Sequence, residues 1–331
     1  MEVLPLTDQS AIVSVDLGGT KIAAALVRTT GEILSQKSTP TLAEEGVAPV
    51  IGRLLAAVDS IIGNADLSHL SISGIAVAAA GVIDTENGTV THSPNLPGWC
   101  EVPLKKSIEE ALGLPTFLIN DASAAALGEH RFGAGKGVSH LVYVTVSTGI
   151  GGGLILGGRL YTGASGSAGE VGHMVIDANG PRCSCGNVGC LEVLASGTAL
   201  AREAQKLIQQ GASTKIAELA NGEPSNVTAK LVADAARQGD ALAREIISQA
   251  ATYLGMGLAN LVNIFNPEMI VVGGGVAKIG DMLLDTARRV AIERAFRLPA
   301  QRVQIVPSRL SDNAAILGAV AFAQAAGVPT T

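Results

Sequence analysis

Two stretches of the chain repeat one pattern of apolar and glycine-rich segments. Residues 11–15 are apolar, 16–21 read D-L-G-G-T-K, and 22–27 are apolar again. Residues 141–146, S-T-G-I-G-G-G at 147–153 and the apolar 154–156 follow the same order. Short apolar runs bounded by glycine predict buried strands joined by tight turns. A unit that occurs twice predicts two related domains, with their glycine turns facing each other across a cleft.

The remaining pattern alternates between strand-like and helix-like segments, which is typical of the α/β class. Further strands are predicted at 33–38, 72–80, 116–119, 159–162, 269–272 and 303–307. Helices are predicted at 44–62, 103–112, from 121 onwards, and at 197–209, 227–238, 240–265, 279–295 and 313–326. Residues after 84 are predicted to be a loop, in which two prolines order the segment 93–99.

Composition narrows the class of protein. The chain has 331 residues, long enough for two domains, with 47% hydrophobic and 16% charged residues. No apolar run approaches the roughly 20 residues of a membrane span, and the N-terminus lacks the pattern of a signal peptide, so we expect a cytoplasmic protein with reduced thiols. A net charge of −6 without a basic cluster argues against nucleic acid or a membrane as partner. Small anions would then be bound by backbone amides.

The glycine turns suit phosphate binding, because glycine lets backbone N–H groups approach an anion without an intervening side chain. The run Gly273–Gly274–Gly275 follows a predicted strand and could close over a nucleotide. Ordinary turns explain the first turn and this run equally well. No P-loop motif occurs in the chain.

Two polar segments could face a ligand. Asp121 lies where a predicted strand ends and a helix begins, a place for catalytic groups in α/β folds and also for a helix cap. In the loop 93–99, Asn95 and Trp99 could offer an amide and a ring to a ligand, or Trp99 could only anchor the loop.

The segment 169–192 contains a candidate zinc site. Cys183, Cys185 and Cys190 follow the pattern C-x-C-x4-C, with His173 upstream. Three thiolates and one imidazole complete a closed tetrahedral site, which predicts structural zinc. Glu170 and Glu192 flank these ligands, and we expect them to face a substrate.

Taken together, these motifs resemble the ROK family of sugar kinases and repressors, and within it the bacterial glucokinases. The resemblance rests on the motifs D-L-G-G-T, S-P-N-L-P-G-W, N-D-A, S-T-G-I-G-G-G, E-V-G-H, C-x-C-G-x-x-G-C-x-E and G-G-G, in that order from residue 13 to about 322. It implies two ribonuclease H-like domains of the sugar kinase, actin and Hsp70 superfamily, with an interdomain cleft and a zinc loop. The smaller domain would comprise 1–120 and about 312–331, and the larger one 121–311. Ser147 stands where many members carry glycine, a departure that bears on nucleotide affinity or phosphoryl donor.

The resemblance implies a phosphoryl transfer from ATP to the C6 hydroxyl of glucose, with Asp121 as general base and Asp16 orienting Mg²⁺. The implied sugar contacts are Asn95, Asn120, Asp121, Glu170, His173 and Glu192. The implied nucleotide contacts are Gly18, Gly19, Thr20, Lys21, Thr148, Gly149, Gly274 and Gly275. His173 would bind zinc through one ring nitrogen and face the sugar with the other.

Three alternatives stay open. The substrate could be N-acetylmannosamine, fructose, mannose or allose instead of glucose. A ROK repressor would need an N-terminal helix-turn-helix before the first glycine turn, whereas Asp16 comes early here. A zinc-stabilised binding module without catalysis would not need Asp16 and Asp121. The resemblance also implies a homodimer or homotetramer.

Overall fold

A computed structural model describes residues 10–66, 68 and 70–327. The N-terminal stretch that we expect to lack a signal peptide falls largely outside these residues, as do the last four positions of the predicted smaller domain. Within the described part of the chain, no helix is both long and apolar enough to cross a bilayer.

The chain alternates between strands and helices. The strands are β1 Ser10–Leu17, β2 Lys21–Arg28, β3 Ile33–Pro40, β4 Ser71–Ala79, β5 Val82–Asp84, β6 Thr89–His92, β7 Cys100–Val102, β8 Thr116–Asn120, β9 Leu141–Val146, β10 Ile150–Leu156, β11 Arg159–Tyr161, β12 Met269–Gly273 and β13 Gln304–Pro307. The helices are α1 Val47–Gly63, α2 Leu104–Leu112, α3 Asp121–Phe132, α4 Leu191–Ala195, α5 Gly197–Gln209, α6 Lys215–Leu219, α7 Ala229–Arg237, α8 Ala241–Phe265, α9 Asp281–Arg294, α10 Arg297–Ala300 and α11 Ala314–Ala325.

Four local predictions need correction. The predicted loop after Asp84 contains β6 and β7, which form a three-stranded sheet with β5. Helix α1 begins at Val47 rather than at residue 44, because Gly46 with φ +90° interrupts the helical backbone. The second glycine turn ends at Gly149, since Ile150 already pairs with Val146 in the ladder between β9 and β10. The short helices α4, α6 and α10 were not predicted, because four or five residues give too little periodicity.

The chain divides into two compact units. The first comprises Met1–Lys136, Leu160–Ala168 and Asp312–Thr331, and the second comprises Gly137–Arg159 and Gly169–Ser311. The prediction began the second domain at Asp121, whereas in this division α3 belongs to the first unit. The reason is its packing on α11, where Gly128 and Gly318 let the two backbones touch: a Cβ on Gly318 would lie 1.6 Å from the carbonyl oxygen of Ala124.

The sheet of the first unit has the order β3-β2-β1-β4-β8. Strands β1, β4 and β8 are parallel, and β2 and β3 continue the sheet as an antiparallel meander. Every residue of β1 is buried except Asp16, which is half-buried, and this accounts for the predominantly apolar sequence of the strand. The carboxyl ends of the three parallel strands therefore lie at one edge of the sheet.

The second unit repeats this topology. Its sheet has the order β11-β10-β9-β12-β13, with β9, β12 and β13 parallel and β10 antiparallel to β9. The hairpin β9–β10 corresponds to β1–β2, and each hairpin is closed by one of the two glycine turns. The internal repeat predicted from the sequence is thus present in the strand order of both sheets.

Candidate functional site

Asp16 and Asp121 lie at the same edge of the first sheet. Asp16 is paired with Ala78 on β4, and Ala78 is paired with Ile119 on β8, so the three strands end side by side. Asp121 follows β8 directly as the first residue of α3. Parallel strands of α/β folds present functional groups at this edge.

The residue that caps α3 is Asn120, not Asp121. The Asn120 side-chain oxygen accepts a hydrogen bond from the backbone N–H of Ser123 at 3.0 Å. Asp121 Oδ1 instead accepts hydrogen bonds from the Ala122 backbone N–H at 2.8 Å and from Asn120 Nδ2 at 3.1 Å. Asn120 Nδ2 also donates to the carbonyl oxygen of Gly81 at 3.0 Å. Capping therefore accounts for Asn120, and the Asp121 carboxylate is held in one orientation for another purpose.

Asp16 binds its proton more strongly than an ordinary aspartate. Burial and, after it, the negative charge of Asp121 raise the pKa of Asp16 from 3.8 to about 7, with Asp312 adding to the rise and Lys21 opposing it. Burial disfavours the charged carboxylate, and a second carboxylate nearby disfavours it further. A divalent cation would reverse this preference, so Asp16 fits a cation ligand.

The first glycine turn packs directly against the loop that carries Asn95. A Cβ on Gly19 would lie 2.5 Å from the carbonyl oxygen of Asn95, so this contact requires glycine. On the other side of the turn, Thr41 Oγ1 donates to the carbonyl oxygen of Gly18 at 2.6 Å. Thr20 and Lys21 are exposed. The structure thus brings Asn95 to the turn predicted to bind phosphate.

Trp99 anchors this loop from inside. Its side chain is 1% exposed and belongs to the core cluster that includes Leu96 and Leu104. Of the two interpretations of Trp99, the structure supports the anchor and not a ring offered to a ligand.

In the second unit, the turn Ser147–Gly149 lies beside the glycine run at the end of β12. Gly273 is paired with Thr145 on β9, which places the two segments at the same sheet edge. Gly274 has φ +90°, and a Cβ there would lie 2.3 Å from the carbonyl oxygen of Val146. The predicted nucleotide contacts Thr148, Gly149, Gly274 and Gly275 are therefore neighbours. The carboxylate of Glu192 reaches the same turn, where Oε2 accepts a hydrogen bond from the backbone N–H of Ile150 at 2.9 Å.

The predicted zinc ligands form one cluster in the second unit. The ligand atoms of His173, Cys183, Cys185 and Cys190 all lie within 4.8 Å of one another. The Cys183 sulfur is 3.7 Å from His173 Nδ1, and the sulfurs of Cys185 and Cys190 are also 3.7 Å apart. A tetrahedral ion with Zn–S bonds of about 2.3 Å needs sulfurs separated by about 3.8 Å. The donor set and its spacing fit zinc.

The thiol pKa values of two cysteines in the cluster are shifted in opposite directions. Burial raises the pKa of Cys190 to about 12. A hydrogen bond from the Asn187 backbone lowers the pKa of Cys185. All the cysteines of the chain are free, so a disulfide does not hold this loop.

The two glutamates that flank the zinc ligands in the sequence, Glu170 and Glu192, lie in different surroundings. Glu170 faces the ring nitrogen of His173 that is turned away from the cysteines, with Oε2 3.9 Å from Nε2. Glu192 is the second residue of α4, whose N-cap is Cys190. His173 can therefore offer Nδ1 to a metal ion and Nε2 to a different partner.

The predicted site residues are divided between the two units. Asp16, Asn95, Asn120, Asp121 and the first turn belong to the first unit; Glu170, His173, Glu192, the zinc cluster and the second turn belong to the second. Sequence reasoning missed Asp312, whose charge acts on Asp16. The signal was available, because S-D-N-A-A at the start of α11 resembles N-D-A-S-A-A at the start of α3.

Known proteins similar to this chain belong to one family but are of two functional kinds, sugar kinases and repressors. A family model described as the ROK family matches residues 12–326. A glucokinase of Thermotoga maritima is 38% identical over 311 residues, covering 94% of this chain and 96% of that protein. A putative xylose repressor of Caldicellulosiruptor sp. is 39% identical over 94% of this chain and 77% of its own length.

The fold matches solved structures equally well. The structure of a ROK family glucokinase from Streptomyces griseus, in complex with glucose and AMPPNP, has a TM-score of 0.85 to this chain. It is 35% identical and covers 95% of this chain and 99% of its own. The chain thus has the mixed α/β fold of these sugar kinases.

Proposed function

The chain belongs to the ROK family, and on that basis we propose that it is an ATP-dependent hexose kinase that phosphorylates glucose at the C6 hydroxyl. The observation that carries this proposal is the placement of Asp121 and Asp16 at one sheet edge, beside the first glycine turn. A base and a cation ligand near a phosphate-binding turn are the groups that phosphoryl transfer requires. The similarity to glucokinases supports the choice of substrate.

Asp121 is proposed to accept the proton of the C6 hydroxyl as that oxygen attacks the γ-phosphorus. An ordinary aspartate has a pKa of about 3.9 and cannot remove the proton in advance. Proton transfer therefore accompanies phosphoryl transfer, and orientation counts for more than basicity. The hydrogen bonds from Ala122 N–H and Asn120 Nδ2 to Asp121 Oδ1 supply that orientation.

Asp16 is proposed to hold Mg²⁺ and its waters. Bound Mg²⁺ would neutralise charge on the phosphate oxygens, as in other phosphoryl transfers. The backbone amides of Gly18, Gly19 and Thr20 would contact the transferred phosphate, and those of Thr148 and Gly149 the β and γ groups. Lys21, Gly274 and Gly275 would complete the nucleotide contacts, with the last two at the adenosine end.

The sugar hydroxyls are proposed to contact Asn95, Asn120, Asp121, Glu170, His173 and Glu192. Amides, carboxylates and an imidazole can each accept or donate to a hydroxyl, which suits a polyol. Zinc would hold the chain around His173 and would not activate water, because four protein ligands close its coordination.

A substrate panel tests this function. Purified protein with ATP and Mg²⁺ should show its highest kcat/KM with glucose among glucose, mannose, fructose, allose and N-acetylmannosamine. A higher value for another hexose would replace glucose as the substrate. No ATP consumption with any of them would overturn the kinase proposal.

The similarity to a xylose repressor favours a second candidate, a sugar-responsive regulator. Band-shift assays of the full chain with DNA upstream of sugar-utilisation genes, with and without xylose, test it. Sugar-dependent retention of DNA without phosphoryl transfer would favour the regulator. Phosphoryl transfer without DNA retention would favour the kinase.

A homodimer or homotetramer is also proposed, and sedimentation velocity would measure the oligomeric state.

A further inference from the structure

The second glycine turn is fixed on its carbonyl side by the start of α5. The carbonyl oxygen of Ser147 accepts a hydrogen bond from the Gly197 backbone N–H at 2.7 Å. That of Thr148 accepts one from Thr198 Oγ1 at 2.8 Å. These two carbonyl oxygens are held by α5. The geometry of the turn therefore also depends on the groups that contact its other side, around Gly149 and the N–H of Ile150.

On the amide side, the carboxylate of Glu192 packs against the turn. Glu192 Oε2 accepts the Ile150 N–H at 2.9 Å, and a Cβ on Gly149 would lie 2.3 Å from the same oxygen. Any side chain at residue 149 would displace this carboxylate. The hydrogen bond holds the Ile150 amide and the close approach holds Gly149, so this contact can fix the end of the turn.

Glu192 itself is held by its neighbours in the chain. Cys190 belongs to the zinc cluster, and Leu191 is fully buried. The Leu191 N–H donates to the carbonyl oxygen of Met174 at 2.9 Å, next to His173. Leu191 also packs on α8, since a Cβ on Gly257 would lie 2.6 Å from its Cδ2 atom. The backbone before Glu192 therefore has little freedom to move, and the Glu192 side chain extends from a fixed position.

We infer that Glu192 is a positioning residue for the nucleotide, in addition to its proposed contact with sugar: its carboxylate sets the turn Ser147–Gly149 in the geometry that receives the phosphate groups of a nucleotide. The inference rests on the proposed function, which assigns the nucleotide to this turn. It makes the zinc loop a support for both substrates, because the same short segment carries Cys190 and Glu192.

The test measures ADP binding with Mg²⁺ by calorimetry in the absence of sugar. Glu192→Gln keeps an oxygen that can accept the Ile150 N–H and should bind ADP within about twofold of the unchanged protein. Glu192→Ala removes the acceptor and should raise the Kd about tenfold, the equivalent of about 1.4 kcal/mol. Glu192→Leu, which keeps more of the side-chain volume, repeats the test if the alanine variant does not fold.

Glu170→Ala is the matched control. It removes another proposed sugar contact of the second unit, one that faces His173. It should weaken glucose binding and leave ADP binding in the absence of sugar unchanged. The zinc content and Tm of each variant, compared with those of the unchanged protein, test whether the metal loop is intact.

Several results would overturn the inference. One such result is that Glu192→Ala and Glu192→Leu bind ADP as tightly as the unchanged protein. Tighter binding by these variants would also overturn it, because it would indicate that the carboxylate repels phosphate. Equal weakening in the glutamine and alanine variants would overturn the role of the hydrogen bond. These outcomes are separate from failure of the proposed function, which would appear as no phosphoryl transfer by the unchanged protein.

Hydrogen exchange of the Ile150 amide adds a readout without any ligand. Exchange should be faster in Glu192→Ala than in the unchanged protein, and nearly unchanged in Glu192→Gln. Equal exchange in all three proteins would contradict the contact itself.

Discussion

Asp16 and Asp121 lie at one edge of the first sheet, where burial and, second to it, the charge of Asp121 raise the pKa of Asp16 to about 7. The folded protein then retains a proton that the unfolded chain releases near the ordinary value of 3.8. This contribution to stability is fully present below about pH 4 and is lost as the pH rises through about 7.

We therefore expect the protein without bound Mg²⁺ to lose unfolding free energy, on the order of 4 kcal/mol, between about pH 4 and pH 8. Urea denaturation across this range, without Mg²⁺ or nucleotide, measures the loss. Asp16→Asn should flatten the profile in this range, because its side chain does not titrate. A profile that is the same in both proteins would contradict the raised pKa.

Asp121→Asn should reduce kcat by about 10²–10⁴-fold, the usual contribution of a general base. The asparagine oxygen can still accept the Ala122 N–H, so the fold and glucose affinity should persist. An ADP-release assay and calorimetry with glucose measure the two effects. Asp84→Asn, a change at a half-buried aspartate of β5 in the same unit, is the control and should keep full activity. Retained turnover in Asp121→Asn would remove Asp121 from the role of base.

Removal of zinc by a chelator should raise the KM for glucose and lower the Tm together, because the ion holds His173 beside Glu170. Cys183→Ser should reproduce both effects. The matched control is Cys100→Ser, since Cys100 is exposed and lies outside the cluster. Metal-free protein with an unchanged KM would leave zinc with a purely structural role.

Gly19→Ala should raise the KM for hexose and destabilise the first unit by about 1–3 kcal/mol, the usual cost of overpacking. Its methyl group would lie 2.5 Å from the carbonyl oxygen of Asn95 and push that loop away. Thermal unfolding and steady-state kinetics measure the two effects. Gly52→Ala in α1, where a Cβ meets nothing within 4 Å, should instead be neutral or stabilising by up to about 1 kcal/mol. If both variants behave alike, the contact between Gly19 and Asn95 has no role in sugar binding.

Local sequence was sufficient for the elements whose signal is short in range. The strands on either side of each glycine turn, the long helices α5 and α8 and the four metal ligands were all identified from spacing and apolar pattern. Local sequence did not predict elements that were too short to show a period, such as α4, or the small sheet that forms inside a predicted loop. The side-chain role of Asn120 as the cap of α3 was also beyond it, because Asp121 is an equally good cap by residue type.

The sequence by itself determined the family, the repeat and the chemistry available at each turn, because these depend on residue types within a few positions of one another. Only the tertiary structure decided which of those groups meet. Asp312 acts on Asp16, Asn95 covers Gly19, and Glu192 binds the N–H of Ile150, which lies 42 positions away. Such pairs are set by strand order and by the packing of loops at a sheet edge, and neither property is encoded in a local pattern of apolar and polar residues.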